Sequence, residues 1–331
     1  MCRFIVAVAA AACGFVATGC AADPGGQQVA PVTSGPRFAE TKLVSDGSGA
    51  AFEDRQLVNA WGVARDPDGL FWIADNGTGR ITIVDENGAP SHREYRSDQF
   101  VVGDGITGIV AASDPALDAD FVVASESGQI FRINGDECDN KGIEFARQPH
   151  AIYKGVAVET VDGAAVVLAA DFHHGRIDAF DARGTLLSCD TSFVDPALPA
   201  GYAPFNLLAA DGMVYVAYAQ QDDQKSDEVA GPGLGLIDVF DAHGNFVRRF
   251  TTGGDLNAPW GLARLGGMLY VGNFGDGRIT MFDAATAKHL GQVDAAPVDG
   301  LWGIVAESPT TLYVAAGPDD EAQGLFARLG P

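Results

Sequence analysis

The sequence predicts an all-β chain closed into a six-bladed β-propeller, with four-stranded antiparallel blades. Three observations predict it. The stretch Asn59 to Gly88, NAWGVARDPDGLFWIADNGTGRITIVDENG, holds three short runs bounded by Gly, Pro, Asn or Asp. Those runs are too short for helices and read as an antiparallel meander. The pattern then returns: taking Trp61, Thr107, Lys154, Phe205, Trp260 and Trp302 as equivalent points, the steps are 46, 47, 51, 55 and 42 residues. A period in this range, with Gly-marked turns and no helical periodicity, is the signature of propeller blades.

The copies follow in order. The second runs from Gly105 to Gly135 and carries FVVASESGQIFRING. The third starts at Gly155 and includes LAADFHHGRIDAFD, Leu168 to Asp181. The fourth runs from Pro204 through Val214, Tyr215 and Val216, then resumes at Gly235 after an acidic insertion, Gln220 to Pro232. The fifth, Ala258 to Ala284, is the nearest copy of the first. The sixth, Gly300 to Gly330, supplies three strands, and the strand-like segment Arg37 to Ser45 is expected to complete its blade and close the ring.

The chain divides into a lipoprotein signal peptide (1–19), a flexible tether (20–36) and the propeller (37–331). Arg3 is followed by an apolar run of signal-peptide length, Phe4 to Val16, and by small residues before Cys20. This resembles a bacterial lipobox and implies export, lipidation of Cys20 and an anchor in the cell envelope (outer membrane or periplasm). Ordinary secretion with cleavage nearby is the alternative. Residues 21–36, rich in Gly, Pro and small polar residues, read as the tether. Of five cysteines, Cys138 and Cys189 remain in the propeller, either as a blade-to-blade disulfide or as free thiols.

The 331 residues carry a net charge of −23, which argues against nucleic acid as a partner. Solubility or cation binding explains it instead. The expected partner is a small molecule, glycan or protein at the channel face, with the membrane reached only through the lipid anchor and the protein a monomer.

Several segments together resemble one family: LVSD at Leu43, LVNAWG at Leu57, FWIADNGTG at Phe71, LPAGYAPFN at Leu198, VAGPGLG at Val229, NFGDG at Asn273 and DGLWG at Asp299. It is the conserved hypothetical propeller proteins often found with the PEP-CTERM sorting system. The resemblance implies NHL-like repeats and export, and names no activity. Many members carry a C-terminal sorting helix, which the lipobox is expected to replace here.

In a propeller, the loops leading into the inner strands and those joining second to third strands open on one face, around the channel. The first set offers Asn59, Asp104, Asn206, Asn257 and Asp299, an oxygen-rich group that would suit Ca²⁺. It loosely resembles the calcium site of six-bladed lactonases and gluconolactonases; ordinary turn formation explains the same residues. The second set offers Asp75, Asn76, Glu126, Asp171, His173, His174, Tyr218 and Asn273, with Tyr202 beside the fourth inner strand. His173 or His174 with Asp171 would form a general base or a ligand for a transition metal, or lie exposed on a loop. The insertion would act as a lid or as a mobile surface loop. Trp61, Trp260 and Trp302 are expected to pack blade against blade. The function read from this is ligand or partner binding at the channel face. The alternative is a Ca²⁺-dependent hydrolase of lactonase type. Neither a serine-hydrolase elbow nor a phosphate loop or dinucleotide fingerprint occurs.

Overall fold

A computed structural model describes residues 38–91, 99–112, 114–135, 141–187 and 192–331. The segments expected to be a signal peptide and a tether, and Cys20, Cys138 and Cys189, lie outside the described residues.

Six antiparallel sheets follow one another along the chain. Their inner strands are Ala60–Arg65, Ile106–Ala111, Tyr153–Val161, Tyr202–Ala210, Pro259–Leu265 and Leu301–Ser308. Each leads outward through consecutive strands, as in the first blade: Phe71–Asp75, Arg80–Val84 and Gln99–Val101. The sixth blade is completed as expected. Ala39–Ser45 pairs antiparallel with Leu325–Gly330, burying Leu43 and Val44, and Phe52–Glu53 adds a short parallel strand outside it.

The runs are strands because their β-branched and aromatic residues fill the space between blades. Trp72 of the first blade stacks on Phe121 of the second at 4.4 Å, and Phe71 meets Tyr313 of the sixth at 4.3 Å. Among the described residues, six apolar clusters lie between neighbouring blades and a seventh fills the channel.

The recurrent Trp-Gly pair has a steric cause. A Cβ on Gly62 would lie 2.5 Å from the Thr107 carbonyl oxygen, and one on Gly303 would lie 2.6 Å from that of Trp61. Glycine at this point lets adjacent inner strands approach closely around the axis. The fourth blade departs from the pattern with Asn206, whose amide donates to the Trp260 carbonyl at 2.8 Å. The three tryptophans pack as expected, but across the channel as well as between neighbours. Trp61 stacks on Trp302 at 3.8 Å and meets Trp260, from a non-adjacent blade, edge-on at 6.1 Å. Together with Phe172, Phe205 and Phe274 they plug the channel.

Candidate functional site at the channel mouth

Above this aromatic plug lies Lys154, the third blade's counterpart of Trp61. The repeat puts an apolar residue or threonine at every other copy of this position, so the lysine brings a charge into a packed site. Its side chain is 1% exposed, and its Nζ sits 5.2 Å from the Trp61 ring centroid. Nζ donates to Glu126 Oε1 at 2.6 Å and to Asp227 Oδ1 at 3.1 Å. Burial disfavours its charge, but Glu126, Glu228 and Asp227 outweigh that and raise its pKa.

The bonds continue around the mouth. Asn76 Nδ2 donates to Glu126 Oε2 at 3.1 Å, Asn59 Nδ2 donates to Asn76 Oδ1 at 3.3 Å, and Asn59 Nδ2 also donates to Glu321 Oε2 at 2.5 Å. The arc Glu321–Asn59–Asn76–Glu126–Lys154–Asp227 therefore takes side chains from the sixth, first, second, third and fourth blades in turn. The fifth contributes Phe274, stacked on Trp302 at 4.0 Å.

Two segments carry carboxylates into this arc. In the loop after Thr311–Ala316, Asp319, Asp320 and Glu321 have φ of 58°, 51° and 65°, three consecutive left-handed residues. Such a conformation costs about 1–2 kcal/mol per residue outside glycine. The turn is closed by Glu321 N–H on the Gly317 carbonyl and Ala322 N–H on that of Asp319. The second segment is the acidic insertion, which folds as a hairpin: Gln220 and Gln221 pair with Val229 and Glu228, and Asp222 accepts from the Ser226 N–H. It leans on the third blade. Gln221 Nε2 donates to the Phe172 carbonyl at 2.5 Å, and His173 Nδ1 lies 3.2 Å from the Lys225 carbonyl. Burial pushes the half-buried Glu228 up to about 7, with Lys154 opposing and Glu321 and Asp227 adding to the shift. Burial also raises Glu321, against the pull of Asn59 and Lys154.

The remaining sequence-predicted residues fall elsewhere. His174 Nδ1 lies 2.7 Å from Oδ2 of the fully buried Asp171, the hydrogen bond of a base and its orienting carboxylate. Burial raises Asp171, and bonds from His174 oppose it. Arg176 also pairs within this blade, with Asp178 at 2.8 Å. Asp75 is buried against Thr82 at 2.7 Å, and burial holds its pKa well above the usual range. Asn273 donates to Thr280 and the Arg278 carbonyl. Tyr218 is buried in the core between the third and fourth blades, and Tyr202 packs against the same cluster.

Members of the oxygen-rich group make local bonds. Asn59 Oδ1 accepts from Trp302 Nε1, Asn257 Oδ1 from Gly231 N–H and Asp299 Oδ2 from Asp319 N–H, while Asp104 is exposed. Asn206 does not lie in a loop leading into its strand. It sits one residue past the plug, with Oδ1 on the Leu207 N–H. Among the described residues, no group of three or more His, Cys, Asp or Glu is placed to hold a metal ion.

Sequence reasoning found Asn59, Asn76 and Glu126 and set the acidic insertion that carries Asp227 and Glu228 on the channel face without singling them out, but missed Lys154 and Glu321. The signal for Lys154 was present, as a charged side chain at a repeat position otherwise occupied by Trp, Phe or Thr.

Residues 57–84 match the NHL repeat family. An uncharacterized protein of Acanthamoeba polyphaga mimivirus is 31% identical over 337 residues, covering 89% of this chain and 82% of the viral protein. A second protein of the same virus is 28% identical over 313 residues, covering 85% and 82%. Among solved structures, a glucose dehydrogenase superposes with a TM-score of 0.59 at 12% identity, over 88% of this chain and 99% of that one, a likeness of fold alone.

Proposed function

We propose a function from one premise: the chain belongs to the same family as these mimivirus proteins, a β-propeller of NHL type. The protein is a binding module whose binding face is the channel mouth, and its ligand carries positive charge. The observation that carries this reading is the convergence of Glu126, Asp227, Glu228 and Glu321 on a single ammonium above an aromatic floor. Even with Glu228 partly protonated near pH 7, one lysine does not balance Glu126, Asp227 and Glu321, so an organic cation is drawn to the mouth. The hairpin at Gln221–Glu228 lies over that mouth as a lid.

The His174–Asp171 pair supports a second reading, a hydrolase with His174 as general base and Ca²⁺ held by the channel oxygens. The N-terminal sequence supports export and a lipid anchor at Cys20, and the resemblance adds an association with PEP-CTERM sorting. Mass spectrometry of the envelope-bound protein and of Cys20→Ser tests the anchor.

Calorimetric titration with spermidine, and separately with Ca²⁺, tests the binding site. Saturable spermidine binding that is lost in Glu126→Gln/Glu321→Gln supports the module. Stoichiometric Ca²⁺ binding without spermidine binding would favour the hydrolase. Binding of neither would remove both readings.

A further inference from the structure

The sequence holds one pair of adjacent histidines, His173 and His174. They lie in the loop between the strands Ala164–Asp171 and Arg176–Asp181, where the hairpin leans on the third blade. We propose that their two Nε2 atoms hold one divalent transition-metal ion. The inference does not depend on what binds above Lys154.

The ring protons decide which nitrogens are free. His174 Nδ1 lies 2.7 Å from Asp171 Oδ2, and His173 Nδ1 lies 3.2 Å from the Lys225 carbonyl oxygen. A carboxylate and a carbonyl only accept, so each Nδ1 carries its proton as a donor. In the neutral ring the lone pair is then on Nε2, and among the described residues no donor meets either Nε2. Metal-binding histidines are held in this way, with the other ring nitrogen donating to a carboxylate or a backbone carbonyl. Asp171 is fully buried and also accepts from the Ile152 and His174 N–H groups, so the imidazole it orients is fixed.

The spacing of the rings agrees. Their centroids are 4.9 Å apart and their planes stand at 87°. Two imidazoles bound to one ion through bonds of about 2.0–2.1 Å, at right or tetrahedral angles, have centroids roughly 4.5–5 Å apart. Perpendicular planes keep two neighbouring ligands from colliding. His243 and His289 also meet carboxylates, Asp162 at 3.2 Å and Asp255 at 2.9 Å, but they do so through Nε2, and no second imidazole among the described residues lies against either.

Imidazole nitrogen suits Zn²⁺, Ni²⁺ and Cu²⁺, and a given site holds Cu²⁺ most tightly. Two side chains fill part of the coordination shell, and the remaining positions are left to water or to a ligand entering the mouth. The net charge of −23 favours a dication. An ion on Nε2 takes the lone pair that a general base needs, so His174 cannot serve in both roles.

The test is titration of the full chain, with ¹⁵N-labelled histidine, with ZnCl₂, followed through the ring nitrogens by magnetic resonance. Zn²⁺ is the probe because it has no redox chemistry with the thiols. The metal-free spectrum should show the proton of both rings on Nδ1. On titration the Nε2 resonances of His173 and His174 should shift together, with the other four histidines unchanged. His173→Ala should leave the His174 Nε2 resonance unmoved at the Zn²⁺ concentration that saturates the unsubstituted chain. Asp171→Asn should weaken Zn²⁺ binding by about 10–100-fold. A shift of one Nε2 without the other, a shift spread evenly over all histidines, or no shift would overturn the inference. Should the variants misfold, the titration of the unsubstituted chain decides alone.

Discussion

Lys154 is the residue on which the mouth depends. Lys154→Met keeps the stem's apolar contacts and removes the ammonium, leaving Glu126, Asp227, Glu228 and Glu321 facing one another. Breaking a fully buried pair costs about 3–5 kcal/mol. Glu126 and Asp227 reach solvent, with side-chain exposures of 32% and 69%, so water screens part of the loss. The expected destabilisation is about 2 kcal/mol at pH 7, shrinking as the carboxylates protonate. Urea unfolding at pH 5 and pH 7 measures both. Glu228 makes a second prediction. Its folded pKa of about 7 lies above its ordinary value of 4.5, so the folded protein holds this proton more tightly. Its contribution to stability is full below pH 4.5 and is lost as pH rises through 7. Glu228→Gln should flatten the decline in melting temperature across that window. Asp238, raised to about 6 mainly by burial, would leave a residual slope between pH 3.8 and 6.

At the scale of elements, the hairpin and the closing strand make opposite predictions. The hairpin holds the mouth through polar contacts at Asp227, Gln221 and Lys225, and its tip residues Asp223, Gln224 and Lys225 are exposed. Replacing residues 222–227 by Gly-Gly should leave the melting temperature within a few degrees, while acrylamide quenching of the plug tryptophans rises. Unchanged quenching would mean that the hairpin does not cover the mouth. The strand Ala39–Ser45 contributes backbone pairing and core, so deleting residues 38–45 should abolish cooperative unfolding and expose the edge Leu325–Gly330 to aggregation. Thermal melting with light scattering checks it. These elements also show what was legible in the sequence. The repeat period located all six inner strands, and the Trp-Gly pair marked where strands crowd the axis. Asn76 and Glu126 were legible because the repeat assigns their loops to one face. The insertion was legible as a lid, but the contact of Asp227 with Lys154 was not, because it depends on how the hairpin folds back; Glu321 was not, because a left-handed turn has no periodic signature. Lys154 was legible only as a charge at a repeat position that otherwise reads as core.

At the scale of the whole molecule, the ring gathers one loop from every blade at a single face. A net charge of −23 spread over the surface concerns solubility, but its local concentration around one buried ammonium makes a site. Ligand capture there is the central claim, and hydrogen–deuterium exchange with and without spermidine tests it most directly. The expected result is protection confined to the hairpin 221–229, the turn 318–323 and the loops at 76–79 and 126–128. Protection elsewhere on the ring, or none at saturating spermidine, would contradict it.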